Sequence, residues 1–163
     1  MPGFAVVTVS DRCFAGTQTD TAGEAVTRLI ESCWPGETVG RGLVPDSIEA
    51  ITTLLHERCH QQYRLILTVG GTGLGPRDVT PEATRQLIER EVPGLAEAMR
   101  ALTAPAYRFA WLSRAVAGLR GATLIVNLPG SQRGATECLQ AILPLLPHAL
   151  EIVGGGSDHP KFG

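Results

Sequence analysis

Short, mostly apolar runs set between helical segments constrain this chain most. Phe4-Ala5-Val6-Val7-Thr8-Val9, Leu65-Ile66-Leu67-Thr68-Val69 and Thr123-Leu124-Ile125-Val126-Asn127-Leu128 show no regular polar alternation. A strand apolar on both faces must be covered on both, which is the habit of parallel sheets. Residues 20–33 read as a helix with Ala22, Val26, Leu29, Ile30 and Cys33 on one face, stopped by Pro35-Gly36. A weaker strand follows over 37–44. Asp46 then reads as an N-cap, with Glu49 in the capping-box position. Its helix turns Ile48, Ile51, Leu55 and Cys59 inward. Thr80-Pro81-Glu82 opens another helix, expected to reach about residue 91, where Pro93-Gly94 break it. Residues 95–103 place Leu95, Met99 and Leu102 on one side.

Residues 12–19 read as loop, and 104–114 carry no clear signal. Residues 115–119 and 123–128 read as a hairpin around Arg120-Gly121. A last helix, about 132–150, turns Leu139, Ile142 and Leu146 inward and is kinked or interrupted at Pro144 and Pro147. Strands alternating with helices imply a mostly parallel sheet covered on both faces, with one late strand antiparallel at an edge. A single domain over 1–153 is expected, with a flexible tail over 154–163.

Composition narrows the function. The chain has 163 residues, 44% of them hydrophobic, with formal net charge −2 and scattered arginines. That argues against a nucleic-acid surface, yet backbone N–H groups can still bind a phosphate locally. Cys13, Cys33, Cys59 and Cys138 form no CxxC pair and read as reduced thiols of a cytoplasmic protein. No apolar run reaches transmembrane length, so no membrane partner is expected. The N-terminal apolar run is too short, and lacks the basic flank, for a signal peptide.

Ligands of such sheets bind beyond the carboxyl ends of the strands. There the chain places Ser10-Asp11, Pro45-Asp46, Gly70-Gly71-Thr72-Gly73-Leu74-Gly75-Pro76-Arg77-Asp78 and Asn127-Leu128-Pro129-Gly130-Ser131. Glycine loops present bare N–H groups to phosphate, and carboxylates beside phosphates hold Mg²⁺. Handling of a phosphate ester or nucleotide follows. No Gly-Lys-Ser/Thr tripeptide exists, and the dinucleotide pattern fails at Pro76, so neither a P-loop kinase nor an NAD enzyme is supported. Each residue alone also has a plainer role: Gly as turn former, Asp46 or Ser131 as cap, Ser10-Asp11 as turn. Their joint position on one rim favours the functional role.

The run LTVGGTGLGPRDVTPEATRQLIEREVPGLAEAMR, with TVSDRCFAGTQTDTAG, LVPDSIEAI, LSRAVAGLRGATLIVNLPGS and ECLQAILPLLPHAL in the same order, resembles the molybdopterin adenylyltransferases of the MogA and MoaB type. The resemblance covers about residues 4–152. It implies a three-layer α/β/α fold and a homo-trimer, with a hexamer as the alternative. It also implies adenylylation by ATP, as co-substrate, of the terminal phosphate of molybdopterin, with release of pyrophosphate and Mg²⁺ as metal. The product would pass to a molybdate-insertion protein. The family's functional aspartates fall on Asp46 and Asp78, which the resemblance makes both catalytic and metal-binding. Its other motif residues fall on Ser10, Asp11, Gly70, Gly71, Thr72, Gly73, Arg77, Glu97, Ser113, Arg114, Asn127, Pro129, Gly130 and Ser131. Its DxxG falls on Asp20 and Gly23.

The chain departs from the family at Gln132-Arg133, at Ser47 and in the stretch YRFAWLSR, where Arg108 and Trp111 are unusual. A binding-only MoaB-type scaffold is the alternative function. A nucleotide reaction of the kind associated with competence-damage proteins is a third, disfavoured by the missing second domain.

Overall fold

The structure, a computed structural model, describes residues 3–156. The chain runs β1 (Phe4–Val9), α1 (Asp11–Phe14), α2 (Thr21–Cys33), β2 (Val39–Val44), α3 (Ile48–His60), β3 (Leu65–Val69), α4 (Thr80–Leu87), β4 (Arg90–Glu91), α5 (Pro93–Thr103), a 3₁₀ turn (Arg108–Leu112), β5 (Ala117–Arg120), β6 (Thr123–Leu128), α6 (Gln132–Ile142) and α7 (Leu146–Val153). One six-stranded sheet has the order β2-β1-β3-β6-β5-β4. β2, β1, β3 and β6 are parallel. β5 is the expected antiparallel strand at the far side, with the two-residue β4 laid against it.

The apolar strands have neighbours on both faces, as their composition requires. Phe4, Val6, Leu65, Leu67, Leu124 and Val126 pack with α2, α5, α6 and α7. The alternate residues Ala5, Val7, Ile66 and Ile125 pack with α3 and α4. Each fully buried Leu, Ile or Phe contributes roughly 1.5–3 kcal/mol. The result is a three-layer α/β/α domain.

Register positions the site. Val9 pairs with Val44, Thr8 with Val69, and Val69 with Leu128. Four parallel strands therefore end nearly level, and the loops after them share one rim.

Several local expectations change. Residues 11–14 form a helical turn, because Ser10 caps it by accepting from the Cys13 N–H. The α4 helix stops at Leu87, not near residue 91, because Ile88 turns extended and Arg90–Glu91 pair with β5. Pro93-Gly94 open α5 rather than break a helix, since proline suits the first helical turn. Leu102 and Cys33 face solvent, and Leu29, Ile48 and Cys59 are only partly buried. The last helix is two: α6 closes at Leu143, and Pro147 sits in the first turn of α7. Of the tail, Gly154–Gly156 turn back on α7 through N–H bonds to Leu150, Ile152 and Glu151. Residues 157–163, the rest of the expected flexible tail, lie outside the described residues.

Candidate functional site

The glycine loop leaves β3 along a path that side chains would block. Gly70 and Gly71 have φ of +111° and +69°, values that L side chains rarely adopt. A Cβ on Gly70 would overlap the Val9 carbonyl, and one on Gly71 would overlap the Thr80 hydroxyl. Thr80 donates to the Gly70 carbonyl at 2.8 Å, so it ties the loop down instead of capping α4. A Cβ on Gly130 would lie 3.3 Å from Gly70 Cα. The β3 and β6 loops therefore meet main chain to main chain.

Arg114 braces this loop. Its backbone N–H donates to Thr72 O at 2.9 Å, its Nε to Gly73 O at 2.7 Å and a terminal nitrogen to Asp78 O at 2.6 Å. It also pairs with Glu82. Arg114 thus holds the loop, where the sequence motif suggested a ligand contact. Nothing in the sequence linked Glu82 to it, since they lie 32 residues apart.

The carboxylates form a second layer of the site. The sequence suggested Asp46 as an N-cap, but Ser47 caps α3 by accepting from the Ala50 N–H. Asp46 is left for other work. Its Oδ2 accepts from the Asp11 N–H at 2.9 Å, and Asp11 Oδ1 accepts from the Asp46 N–H at 3.0 Å. Arg77 grips both Asp11 oxygens at 2.8–3.0 Å. The Asp46 N–H bond, then the Arg77 guanidinium, holds the Asp11 carboxyl below its ordinary range. Asp46 moves the other way. Burial raises its pKa most, and the charges of Asp11 and Asp78 add to that, against the Asp11 N–H bond and Arg77, which lower it.

Asp78 Oδ2 accepts from the Gly75 N–H at 2.9 Å and lies close to where side chains on Gly73 and Gly75 would stand. Asp78 is therefore not the cap of α4. The Asp78 charge helps to raise the Asp46 pKa, so the two carboxylates stand near one another. Among the described residues no three or more His, Cys, Asp or Glu gather to hold a metal. Two carboxylates nonetheless suit Mg²⁺, which keeps waters and fills its shell with substrate phosphate oxygens.

Beside these groups opens a cleft of about 820 Å³. Its lining includes Gly71, Thr72, Gly73 and Asp78, and Pro129, Gly130 and Ser131. Ser131 caps α6 through the Gly134 N–H, so the N-terminus of that helix faces the cleft. Its lining also includes the apolar side chains of Met99, Tyr107, Phe109 and Leu112. That size and polarity suit a small organic phosphate.

The remaining motif residues divide. Ser113 lines the cleft, and its carbonyl accepts from Arg100. Ser10 is the cap of α1. Asn127 is wholly buried: its Oδ1 accepts from the Val116 N–H, and its amide donates to Thr68 and Thr84. It ties β6 to β3, to α4 and to Val116 just before β5, and does not line the cleft. Glu97 is exposed on α5, also outside the lining. Asp20 caps α2 while gripping Thr8 and Arg41. Gly23 leaves room for Asp20 and Thr8. Tyr107, Phe109 and Arg133 line the cleft without having been singled out as ligand contacts. The signal for Tyr107 and Phe109 was the aromatic run in an otherwise aromatic-poor chain.

Comparison with known proteins identifies the family. A family model described as a probable molybdopterin binding domain matches residues 5–148. The chain is 43% identical to the molybdenum cofactor synthesis protein cinnamon of Drosophila melanogaster over 93% of its own length, but spans only 25% of that relative. It is 35% identical to a molybdopterin adenylyltransferase of Helicobacter pylori, covering 92% of this chain and 86% of the relative. The crystal structure of the molybdopterin biosynthesis enzyme MoaB of Thermus thermophilus superposes with TM-score 0.86 at 50% identity, covering 95% of this chain and 98% of that one. The chain belongs to the molybdopterin-binding domain family of the MogA and MoaB type.

Proposed function

We propose that the protein is a molybdopterin adenylyltransferase acting in molybdenum cofactor biosynthesis. The observation that carries this reading is the placing of Asp46 and Asp78 beside a cleft floored by two glycine loops. A 35%-identical relative bears the adenylyltransferase name over nearly its whole length.

In the reaction, a phosphate oxygen of molybdopterin attacks the α-phosphorus of ATP. The new P–O bond forms as the bond to the β-phosphate oxygen breaks, and pyrophosphate departs with that electron pair. The nucleophile is already anionic, so the protein's task is alignment and charge neutralisation. N–H groups of Gly71, Thr72 and Gly73 offer one anion cradle. The N-terminus of α6, at Gly130-Ser131, offers the other, which we place near the nucleotide. Asp46 and Asp78 would hold Mg²⁺, whose charge offsets the triphosphate. Asp11 and Arg77 would orient Asp46.

We further propose a homo-trimer in the cytoplasm, consistent with the four free thiols, that hands its product to a molybdate-insertion protein. Among the described residues no helix is long and apolar enough to cross a membrane.

The test is turnover with purified protein, molybdopterin, ATP and Mg²⁺, following adenylylated pterin and pyrophosphate. Product in the wild type and its collapse in Asp46→Asn and Asp78→Asn is expected. Pterin binding without product would replace this reading with the scaffold role.

A further inference from the structure

Glu82 lies in the first turn of α4, directly after Pro81. Its side chain is partly exposed, yet Oε2 is buried and has no hydrogen-bond partner among the described residues. Oε1 pairs with Arg114. A single ion pair at such a place adds little to stability, and an unsatisfied carboxylate oxygen detracts from it. The needs of the fold therefore do not account for this carboxylate. Burial pushes the Glu82 carboxyl up, but the hydrogen bond from Arg114, chief among the opposing influences, holds it below its ordinary range. Glu82 is thus charged at neutral pH, and its charge is directed at Arg114.

Arg114 in turn holds one edge of the glycine loop, through the carbonyls of Thr72, Gly73 and Asp78. In a planar trans peptide the N–H of the next residue points opposite to the carbonyl. The Gly73 and Leu74 N–H groups are therefore turned away from Arg114. Among the described residues neither donates to another group. Gly73 and Leu74 line the cleft, as do Ser113 and Ala115 on either side of Arg114, but Arg114 and Glu82 do not. The ion pair stands behind the loop. Thr80, two residues before Glu82 on the same helix, holds the Gly70 carbonyl at the loop's other end.

We infer that Glu82 is a positioning residue: its carboxylate clamps the Arg114 guanidinium against the loop carbonyls, and this aims the Gly73 and Leu74 N–H groups at an anion in the cleft. The inference rests on the reading of the glycine loop as a phosphate cradle. Glu82 itself touches no ligand and acts only through Arg114. Its charge also offsets that of Arg114, which keeps the guanidinium behind the loop when a phosphate is bound in front of it. An amide in place of the carboxylate would leave the shape of α4 unchanged and release the clamp.

The experiment compares the wild type with Glu82→Gln, Arg114→Lys, the double variant and the control Glu24→Gln, whose exposed pair with Arg28 lies on α2. Calorimetric titration with tripolyphosphate reads the cradle, amide NMR follows the Gly73 and Leu74 N–H groups, and turnover with molybdopterin, ATP and Mg²⁺ reads the reaction. Glu82→Gln should lose about tenfold in tripolyphosphate affinity and about 10–100-fold in kcat, as removal of an outer partner does. The two amide signals should shift when tripolyphosphate is added to the wild type, and shift less in the variant at the same concentration. The double variant should be no worse than the more impaired single, because both act through one guanidinium. The control should match the wild type. Unchanged affinity in Glu82→Gln, losses that add in the double variant, or a loss that merely tracks the folded fraction by circular dichroism overturns the inference. So does a gain in affinity, since Arg114 would then be a phosphate contact that Glu82 restrains. A wild type without tripolyphosphate affinity removes the cradle and the inference with it. Wild-type turnover beside an unaffected Glu82→Gln sinks this inference and leaves the reaction reading standing. Tripolyphosphate binding that weakens in Glu82→Gln, in a protein that makes no adenylylated product, does the reverse.

Discussion

Asp11 and Asp46 each accept a hydrogen bond from the other's backbone N–H, at 3.0 and 2.9 Å, across 35 residues of chain. The exchange locks the loop after β1 to the loop after β2 and fixes where the Asp46 carboxylate points. Asp11→Ala should lower kcat about 10–100-fold, as loss of an orienting partner does, with a smaller change in KM for ATP. Arg77→Lys should recover little of the loss in Arg77→Ala, because an ammonium cannot serve both Asp11 oxygens as the guanidinium fork does. Steady-state kinetics on the three variants checks this.

Asp46 is the group whose titration should govern the acid limb of the rate. Its pKa is raised by burial and by its carboxylate neighbours. Activity should therefore fall with decreasing pH before an ordinary aspartate would protonate. Asp78→Asn removes a neighbouring charge and should move the Asp46 midpoint to lower pH, which NMR titration of the carboxyl can follow.

The same raised pKa has a stability consequence. A raised carboxyl pKa means the folded state holds its proton more tightly than the unfolded chain. Stability from this group is present at low pH and is lost as pH rises through the folded-state value. At neutral pH the charged Asp46 is a cost. Asp46→Asn should raise Tm, by about 2–4 °C for each kcal/mol relieved, while kcat falls about 10²–10³-fold. Thermal unfolding at pH 7 and pH 4 should show the gain shrinking in acid.

Gly71→Ala should damage both fold and function. The new Cβ meets the Thr80 hydroxyl at a backbone φ of +69°, a strain of order 1–3 kcal/mol. The Thr80–Gly70 bond should break with it. Denaturant midpoints and ATP affinity should drop together.

Asn127→Leu tests the opposite case. The three hydrogen bonds of Asn127 are buried and none faces the cleft. Leaving the Val116 N–H without its side-chain partner should cost about 1–3 kcal/mol of stability. The kcat of the folded fraction should stay near that of the wild type.

The layers and the rim were legible in the sequence because doubly buried strands admit little besides Val, Ile, Leu and Ala. The α4 boundary was not: apolar Ile88 continues the helical pattern, and only pairing of Arg90–Glu91 with β5 ends it. Asp46 was read as the cap of α3, a role that Ser47 takes because it stands one residue nearer the helix. Motif position also grouped residues that work differently. Arg114 braces a loop, Asn127 bonds inside the core and Glu97 faces solvent, while Asp46 and Asp78 stand beside the cleft. Spacing along a chain cannot separate a residue that touches a ligand from one that holds the residue that does.

The meeting of Gly70 and Gly130 has a consequence for how such a site can change over time. Its floor is peptide backbone, set by the Val69–Leu128 register of the sheet. Side-chain substitution can repaint the walls, where Met99, Tyr107, Phe109 and Leu112 stand. The floor has no side chain to exchange. A descendant of this chain could drift in preference for a long time and still grip a phosphate in the same place.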